Sequence, residues 1–354
     1  MSSKRKVLLG MSGGIDSTMS VKLLLDQSYD VHGLTFVMTE EKNATKATKS
    51  AVDEAQELAK KFGIPHQVID IKKKFRENVI QYFMDEYIKG RTPNPCVLCN
   101  RILKFQELLQ YANEINADFI ATGHYVQVAD ESNRYFLRKA VDGFKDQSYM
   151  LWRLSQEQLS RSIFPLGKMK KQEIKDLAKD IGLKDLAEKK ESVDVCFIPE
   201  GDYREFLQEH AAEIIHKIPE GDFLLNKEKK VGKHKGYPYY TIGQRKGLQI
   251  ALGEPMYVNN IDASSNTISI GRREDLLHDK LDVEQVSLMK YKEMPKEDLL
   301  VKIRYHDKGM MAKFDKVDND NYHLDFVEKV SAITPGQSAV FYENEDVVGG
   351  GIIK

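Results

Sequence analysis

The chain has 354 residues, 41% hydrophobic and 30% charged, the composition of a globular protein and a length that calls for two or three domains rather than one core. Its 53 basic and 54 acidic residues sum to a net charge of −1, so a nucleic-acid partner needs a local basic patch. Three cysteines argue against a disulfide framework and make each a candidate for chemistry, and no apolar run approaches a membrane span; a cytoplasmic protein with no membrane partner is expected.

Val7 to Leu9 predicts a buried parallel strand, and Thr18 to Gln27 has the apolar spacing of a helix. Between them, Ser12-Gly13-Gly14-Ile15-Asp16-Ser17 falls at a strand-to-helix turn. Two glycines there permit positive φ and close backbone approach, and the helix start offers free N–H groups and a positive dipole end. The turn reads as an anion cradle, but not of the Walker type, because no Gly-Lys-Ser/Thr follows.

Val31 to Met38 predicts a second strand, residues 39–50 a loop, Ala51 to Phe62 a helix stopped by Gly63, and Pro65 to Ile71 a third strand. This alternation implies a parallel sheet whose ligand lies at the carboxyl ends of the strands. Phe75 to Lys89 reads as a helix. In RTPNPCVLCN, Pro93 and Pro95 flank Asn94 and predict a stiff loop delivering Cys96 and Cys99. Arg101 to Asn113 is amphipathic, which puts Cys99 near a helix N-terminus, where the dipole lowers a thiol pKa.

Asp118 to Gly123 predicts another strand, leading to His124 and Tyr125. Lys145-Asp146-Gln147-Ser148-Tyr149 precedes a helix-like segment, Lys168 to Ile181 is a helix stopped by Gly182, and Glu191 to Pro199 brings Cys196. Asp202 to Ile215 reads as a bridging helix, after which glycine-punctuated short strands follow. Residues 227–246 are basic, with Tyr237, Tyr239 and Tyr240 interleaved; they read either as an RNA surface or as a solvated loop with core tyrosines. Beyond a boundary near Asp279, the strand pattern of Leu281 to Lys354 predicts a small antiparallel barrel.

SGGIDS, RTPNPCVLCN, ATGHY, KDQSYML, SVDVCFIP and YTIGQRKGL, in this order, resemble the bacterial and mitochondrial tRNA-specific 2-thiouridylases, and Thr334-Pro335-Gly336-Gln337 adds a weaker match. The resemblance implies an α/β adenylating domain with a parallel sheet of the pyrophosphatase-loop type over residues 1–200. A small mixed or β central domain over residues 201–278, with a linking helix, and a C-terminal antiparallel β-barrel over residues 279–354 would help hold tRNA. The implied activity is ATP-dependent replacement of O2 of the wobble uridine by sulfur.

By the same resemblance, Gly10, Met11, Ser12, Gly13, Gly14, Ile15, Asp16, Ser17, Phe36 and Gly123 hold ATP, Asp16 helping to position Mg²⁺. Cys196 carries a persulfide supplied by a sulfur carrier or a cysteine-desulfurase-derived donor. Cys99 is the second catalytic thiol and closes a Cys99–Cys196 disulfide. Asn94, Pro95 and Cys96 meet the target base, and His124, Gln147, Ser148, Tyr149, Arg304, Tyr305 and Gln337 contact tRNA.

One departure changes the chemistry. The family loop carries aspartate where Cys96 stands, so Cys96, Cys99 and Cys196 could instead hold three irons of a [4Fe–4S] cluster, or zinc with no evident fourth ligand. The tryptophan and cysteine expected within residues 39–50 are also missing. Two other classes compete. An adenylating ligase making GMP, NAD or argininosuccinate would not need paired cysteines on a proline-stiffened loop, and an RNA-binding module would leave SGGIDS unexplained.

Overall fold

The computed structural model describes residues 4–39, 50–189, 195–198 and 202–354. The loop read at residues 39–50 and the motif around Cys196 therefore lie partly outside the described residues.

Strands β1 (Lys6–Gly10), β2 (Asp30–Val37), β3 (His66–Asp70) and β4 (Phe119–Thr122) form as their apolar runs predict. Two more, β5 (Gln127–Glu131) and β6 (Arg134–Arg138), make a hairpin around Ser132 and Asn133, and β7 (Ser162–Ile163) is short. The first sheet is fully parallel in the order β3-β2-β1-β4-β7. Val7 and Leu9 point into one apolar cluster and Leu8 into another, so the sheet is covered on both faces. Helix Ala51–Phe62 has the predicted bounds because Ser50 and Asp53 form a capping box and Gly63 ends it in the left-handed region.

Two helical runs differ from expectation. Lys72–Phe75, Arg76–Ile80 and Gln81–Ile88 continue through a π turn, as do Pro95–Cys99, Asn100–Lys104 and Phe105–Glu114. Cys96 and Cys99 thus sit in a helix and not on a loop. Pro95 occupies its first position, where a missing N–H costs nothing, so proline starts this helix. The bridging helix is divided at Ala211 into Tyr203–His210 and Ala212–Ile215.

A second sheet orders β8 (Gly221–Leu225), β9 (Lys229–His234), β10 (Tyr257–Asp262) and β11 (Thr267–Gly271) as β10-β11-β8-β9. The C-terminal strands are β12 (Leu277–Leu288), β13 (Leu299–Lys302), β14 (Met310–Lys316), β15 (Tyr322–Ser331), β16 (Ser338–Glu343) and β17 (Asp346–Ile353). They run in the order β12-β15-β14-β13-β16-β17 and close through β12–β17 into an antiparallel barrel. Closure leaves no open edge between these six strands. Among the described residues no helix is long and apolar enough to cross a membrane.

The barrel is joined to the parallel-sheet unit by the β5–β6 hairpin, whose β6 pairs antiparallel with β17, and by side-chain packing. Arg138 at the end of β6 pairs with Asp346 of β17 at 2.6 Å, and Arg134 donates to the carbonyls of Leu288 and Met289. Trp152 is fully buried, donates its indole N–H to Ser338 Oγ at 3.0 Å, and lies in one apolar cluster with Leu8, Leu108 and Val340. Gly350 lies against its ring, where a Cβ would come within 2.6 Å of Trp152 Cδ2. Gly350→Val should cost about 1–3 kcal/mol by overpacking this seam, read as a lower urea midpoint; an unchanged midpoint would show that the seam yields freely.

Candidate active site

The anion cradle is built as a strand end and a helix start. Gly10 ends β1; the Met11 N–H donates to the Leu34 carbonyl, and Met11 O accepts from Thr35 Oγ1 at 2.9 Å. Gly13 has φ +72°, and a Cβ there would sit 2.8 Å from the Ala51 carbonyl oxygen. Gly14 is the extended N-cap of helix Ile15–Asp26 and supplies no capping side chain, leaving first-turn amides for a ligand. Ser17 Oγ accepts from the Ser12 N–H at 3.1 Å and donates to the Gly14 carbonyl at 3.1 Å, so the two serines brace the turn.

Gly123 follows β4 and packs directly on this loop. A Cβ would lie 2.8 Å from both Asp16 C and Ser17 N, so glycine is required by contact alone. Phe36 lies half-buried near the end of β2, opposite Ile69 of β3. Asp16 is held differently from expectation. Its carboxylate accepts from Lys171 Nζ at 2.7 and 2.8 Å and from the Tyr125 hydroxyl at 2.8 Å. It does not offer Mg²⁺ a bare carboxylate in this arrangement. The local motif lacks a phosphate-reaching lysine; the fold brings Lys171 to it from 155 residues away.

The cysteines gather beside this edge. Cys99 is buried, Cys96 half-buried and Cys196 exposed, and all three are free thiols. Phe197 and Ile198, next to Cys196, share an apolar cluster with Cys99, Phe75 and Phe83, and the Phe197 ring lies 5.3 Å from that of Phe83. This anchor holds Cys196 at the rim of the apolar cluster that buries Cys99.

The expected acidic shift of Cys99 is overturned. Burial pushes its thiol up to about 11, against the pull of the Lys104 charge. The Cys96 thiol is raised for the same reason. Burial opposes the charge on Lys104, but the sulfurs of Cys99, Cys196 and Cys96 outweigh it and hold the ammonium above its ordinary pKa. Burial and the Lys104 charge together drive His124 down to about 3, so it is neutral at physiological pH, with Nδ1 2.8 Å from Thr122 Oγ1. Among the described residues no group of three or more His, Cys, Asp or Glu side chains has the arrangement of a metal site, so the cysteines as placed do not fit a cluster or zinc.

The residues expected to touch tRNA converge on the seam between barrel and parallel sheet, but several are occupied internally. Ser148 is buried and bonds Asp146 at 2.7 Å and the Tyr342 hydroxyl at 3.1 Å; Tyr149 is buried and donates to the Ser338 carbonyl. Gln147 accepts from the Tyr125 N–H through its side chain. Asn94 is buried against Met150, ahead of Pro95. Tyr305 has its ring 6.2 Å from Tyr149, and Arg304 is exposed.

Gln337 grips the cysteine segment, donating Nε2 to the carbonyls of Thr92 at 2.9 Å and Pro93 at 3.0 Å, while Thr92 N–H donates to Pro335 O at 2.8 Å. In the basic stretch Tyr237 and Tyr240 are buried in the second sheet's core and Lys230 and Lys233 pair with Asp222, so the tyrosines are no stacking platform. Lys227, Lys229, Lys235, Arg245 and Lys246 remain exposed.

A glycine-lined anion loop at the carboxyl edge of a parallel sheet, in a chain that also gathers three free thiols, defines an enzyme of the nucleotide-binding pyrophosphatase-loop class. Three family descriptions match in succession: tRNA methyl transferase HUP domain over residues 5–200, tRNA methyl transferase PRC-barrel domain over 204–272, and Aminomethyltransferase beta-barrel domain over 278–353. The chain is 43% identical over its whole length to a protein of Cytophaga hutchinsonii named tRNA-specific 2-thiouridylase MnmA, covering 98% of it. It is 44% identical, again over its whole length, to one of the same name from Salinibacter ruber, covering 95% of that relative. The chain belongs to the tRNA-specific 2-thiouridylase family.

Two outcomes test this geometry. Cys99 alkylation should be slow at pH 7 and rise about tenfold per pH unit towards pH 9, because the thiolate fraction grows tenfold per unit below a pKa near 11; a rate already at its plateau by pH 7 would show an activated thiol. Gln337→Ala removes two hydrogen bonds from the cysteine segment. It should speed amide exchange at Thr92 and Asn94 by about tenfold or more, at about 1 kcal/mol per bond.

Proposed function

We propose that this protein uses ATP to adenylate O2 of the wobble uridine of tRNA and replaces that oxygen by sulfur from a Cys196 persulfide, with Cys99 as the second thiol. One observation carries the reading. Gly123 touches the Asp16–Ser17 backbone, His124 follows it, and the Lys104 charge that bears on His124 also bears on Cys96, Cys99 and Cys196. Activation and sulfur delivery therefore share one end of the sheet.

The chemistry follows from what each group can do. Oxide is a hopeless leaving group from an amide-like carbon, so the oxygen has to leave as AMP. The loop amides and Lys171 match the phosphates of ATP in charge. Exposed Cys196 is accessible to a sulfur carrier or a desulfurase-derived donor, while buried Cys99 stays protonated until exchange is needed. In this reading residues 1–200 carry the ATP and sulfur chemistry. Residues 201–278 and 279–354 grip the tRNA with the exposed Lys227, Lys229, Lys235, Arg245 and Lys246 and with Arg304.

Cys96 in the aspartate position is the sequence argument for the same reaction on a [4Fe–4S] cluster held by Cys96, Cys99 and Cys196, but the three thiols as placed do not fit one. Methyl transfer, the word in two of the family descriptions, would leave all three cysteines without work.

The test is tRNA-dependent pyrophosphate release together with mass spectrometry of the wobble uridine after treatment with protein, ATP and a sulfur source. Oxygen-to-sulfur replacement is expected, and pyrophosphate release that needs a free amino acid or nucleotide instead would overturn the reading. Cys99→Ser and Cys196→Ser should each lose thiolation by at least about a thousandfold while still binding tRNA. Anaerobically purified Cys96→Ala should keep thiolation within about threefold of wild type, as a bystander to two-cysteine exchange; loss of activity together with bound iron would favour the cluster.

A further inference from the structure

Lys104 is a charged side chain to which the proposed route has so far given no part. It is half-buried, and among the described residues no carboxylate or hydrogen-bond acceptor pairs with it. The groups that favour its charge against burial are the sulfurs of Cys99, Cys196 and Cys96, so the ammonium is best satisfied where sulfur becomes anionic.

Its position is set by backbone geometry. In an α-helix residues five apart fall about 140° apart around the axis. Asn100–Lys104 is instead a π turn, closed by the Phe105 N–H on the Asn100 carbonyl, and its wider coil returns Lys104 towards the face that carries Cys99. The ring of Phe105, the next residue, lies 6.1 Å from that of His124, which places this turn beside the residue that follows Gly123 and its contact with the ATP loop. The mutual influence of Lys104 with all three cysteines and with His124 agrees with that placement.

We infer that Lys104 is a catalytic residue whose ammonium holds the anionic terminal sulfur of the Cys196 persulfide against the adenylated uridine. This rests on the persulfide reading above. In the first step the terminal sulfur forms a bond to C2, the C2–O bond breaks, and AMP leaves with the electron pair. In the second, Cys99 gives its proton to solvent and its sulfur attacks Cys196 Sγ. The Cys99–Cys196 bond forms, the bond from Cys196 to the transferred sulfur breaks, and that pair stays on the sulfur of the product. A dithiol reductant supplies two electrons to reopen the disulfide. Lys104 faces negative sulfur in both steps, which is where a fixed charge in a dry site lowers a barrier.

The experiment uses the full chain preloaded with persulfide on Cys196, mixed with tRNA and ATP, and follows 2-thiouridine and pyrophosphate separately in a single turnover. Lys104→Met should slow 2-thiouridine formation by about 100-fold, with pyrophosphate release and the KM for tRNA within about twofold of wild type, and Lys104→Arg should recover at least about a tenth of the rate. Wild-type thiolation by Lys104→Met, or no rescue by a folded Lys104→Arg, would overturn the assignment. A matching fall in pyrophosphate release would overturn it too, by giving Lys104 to ATP. Preloaded wild-type protein that makes no 2-thiouridine would instead refute the persulfide reading itself.

Discussion

Three hydrogen bonds between the barrel and a short irregular segment fix the geometry on which the site depends. Pro335 and Gln337 engage Thr92 and Pro93, and Gly336, at φ +92°, lies so close that a Cβ would come within 2.8 Å of the Thr92 carbonyl oxygen. Arg91 extends the seam, pairing with Glu86 of the preceding helix and Glu284 of β12. The helix bearing Cys96 and Cys99 begins at Pro95, two residues after Pro93. Its start is thus set by the C-terminal barrel, more than two hundred residues away in sequence, and whatever shifts the barrel reaches the thiols. An RNA gripped by Arg304 and the barrel surface would act on this same seam.

Electrostatics divide labour between two cysteines that sequence spacing alone would treat alike. Cys196 is exposed beside an anchored Phe197, and Cys99 is sealed in an apolar cluster that keeps it protonated. In the proposed relay, a thiol held protonated in this way would not compete with Cys196 for incoming sulfur. The same economy is seen at the other half of the site, where Lys171 and Tyr125 hold Asp16 before any phosphate arrives. Both halves present lysine in a largely dry setting, and both meet near Gly123.

The parallel sheet and the barrel were legible because their signals are local: apolar runs ending in glycine, a capping box at Ser50, alternation in the last 70 or so residues. The β5–β6 hairpin was missed although Ser132 and Asn133, both at positive φ, mark a turn between the alternating VQVAD and RYFLR runs. Reading Pro93 and Pro95 as loop-forming missed that Pro95 serves as a helix start, and with it the depth of Cys99. Lys171 and Lys104 carried no readable signal. One reaches its partner through tertiary folding, and the other depends on a π turn that no spacing rule announces.

The central claim is that ATP activation and a two-cysteine relay act on one base at one sheet edge. Cys99→Ser, preloaded with persulfide and mixed with tRNA and ATP, tests it most directly, because the relay then stops after the first step. The account predicts an ATP-dependent covalent adduct of tRNA with Cys196 through two sulfurs, seen by intact mass spectrometry and released by a dithiol reductant. Formation of free 2-thiouridine by this variant, or an adduct that forms equally without ATP, would contradict it.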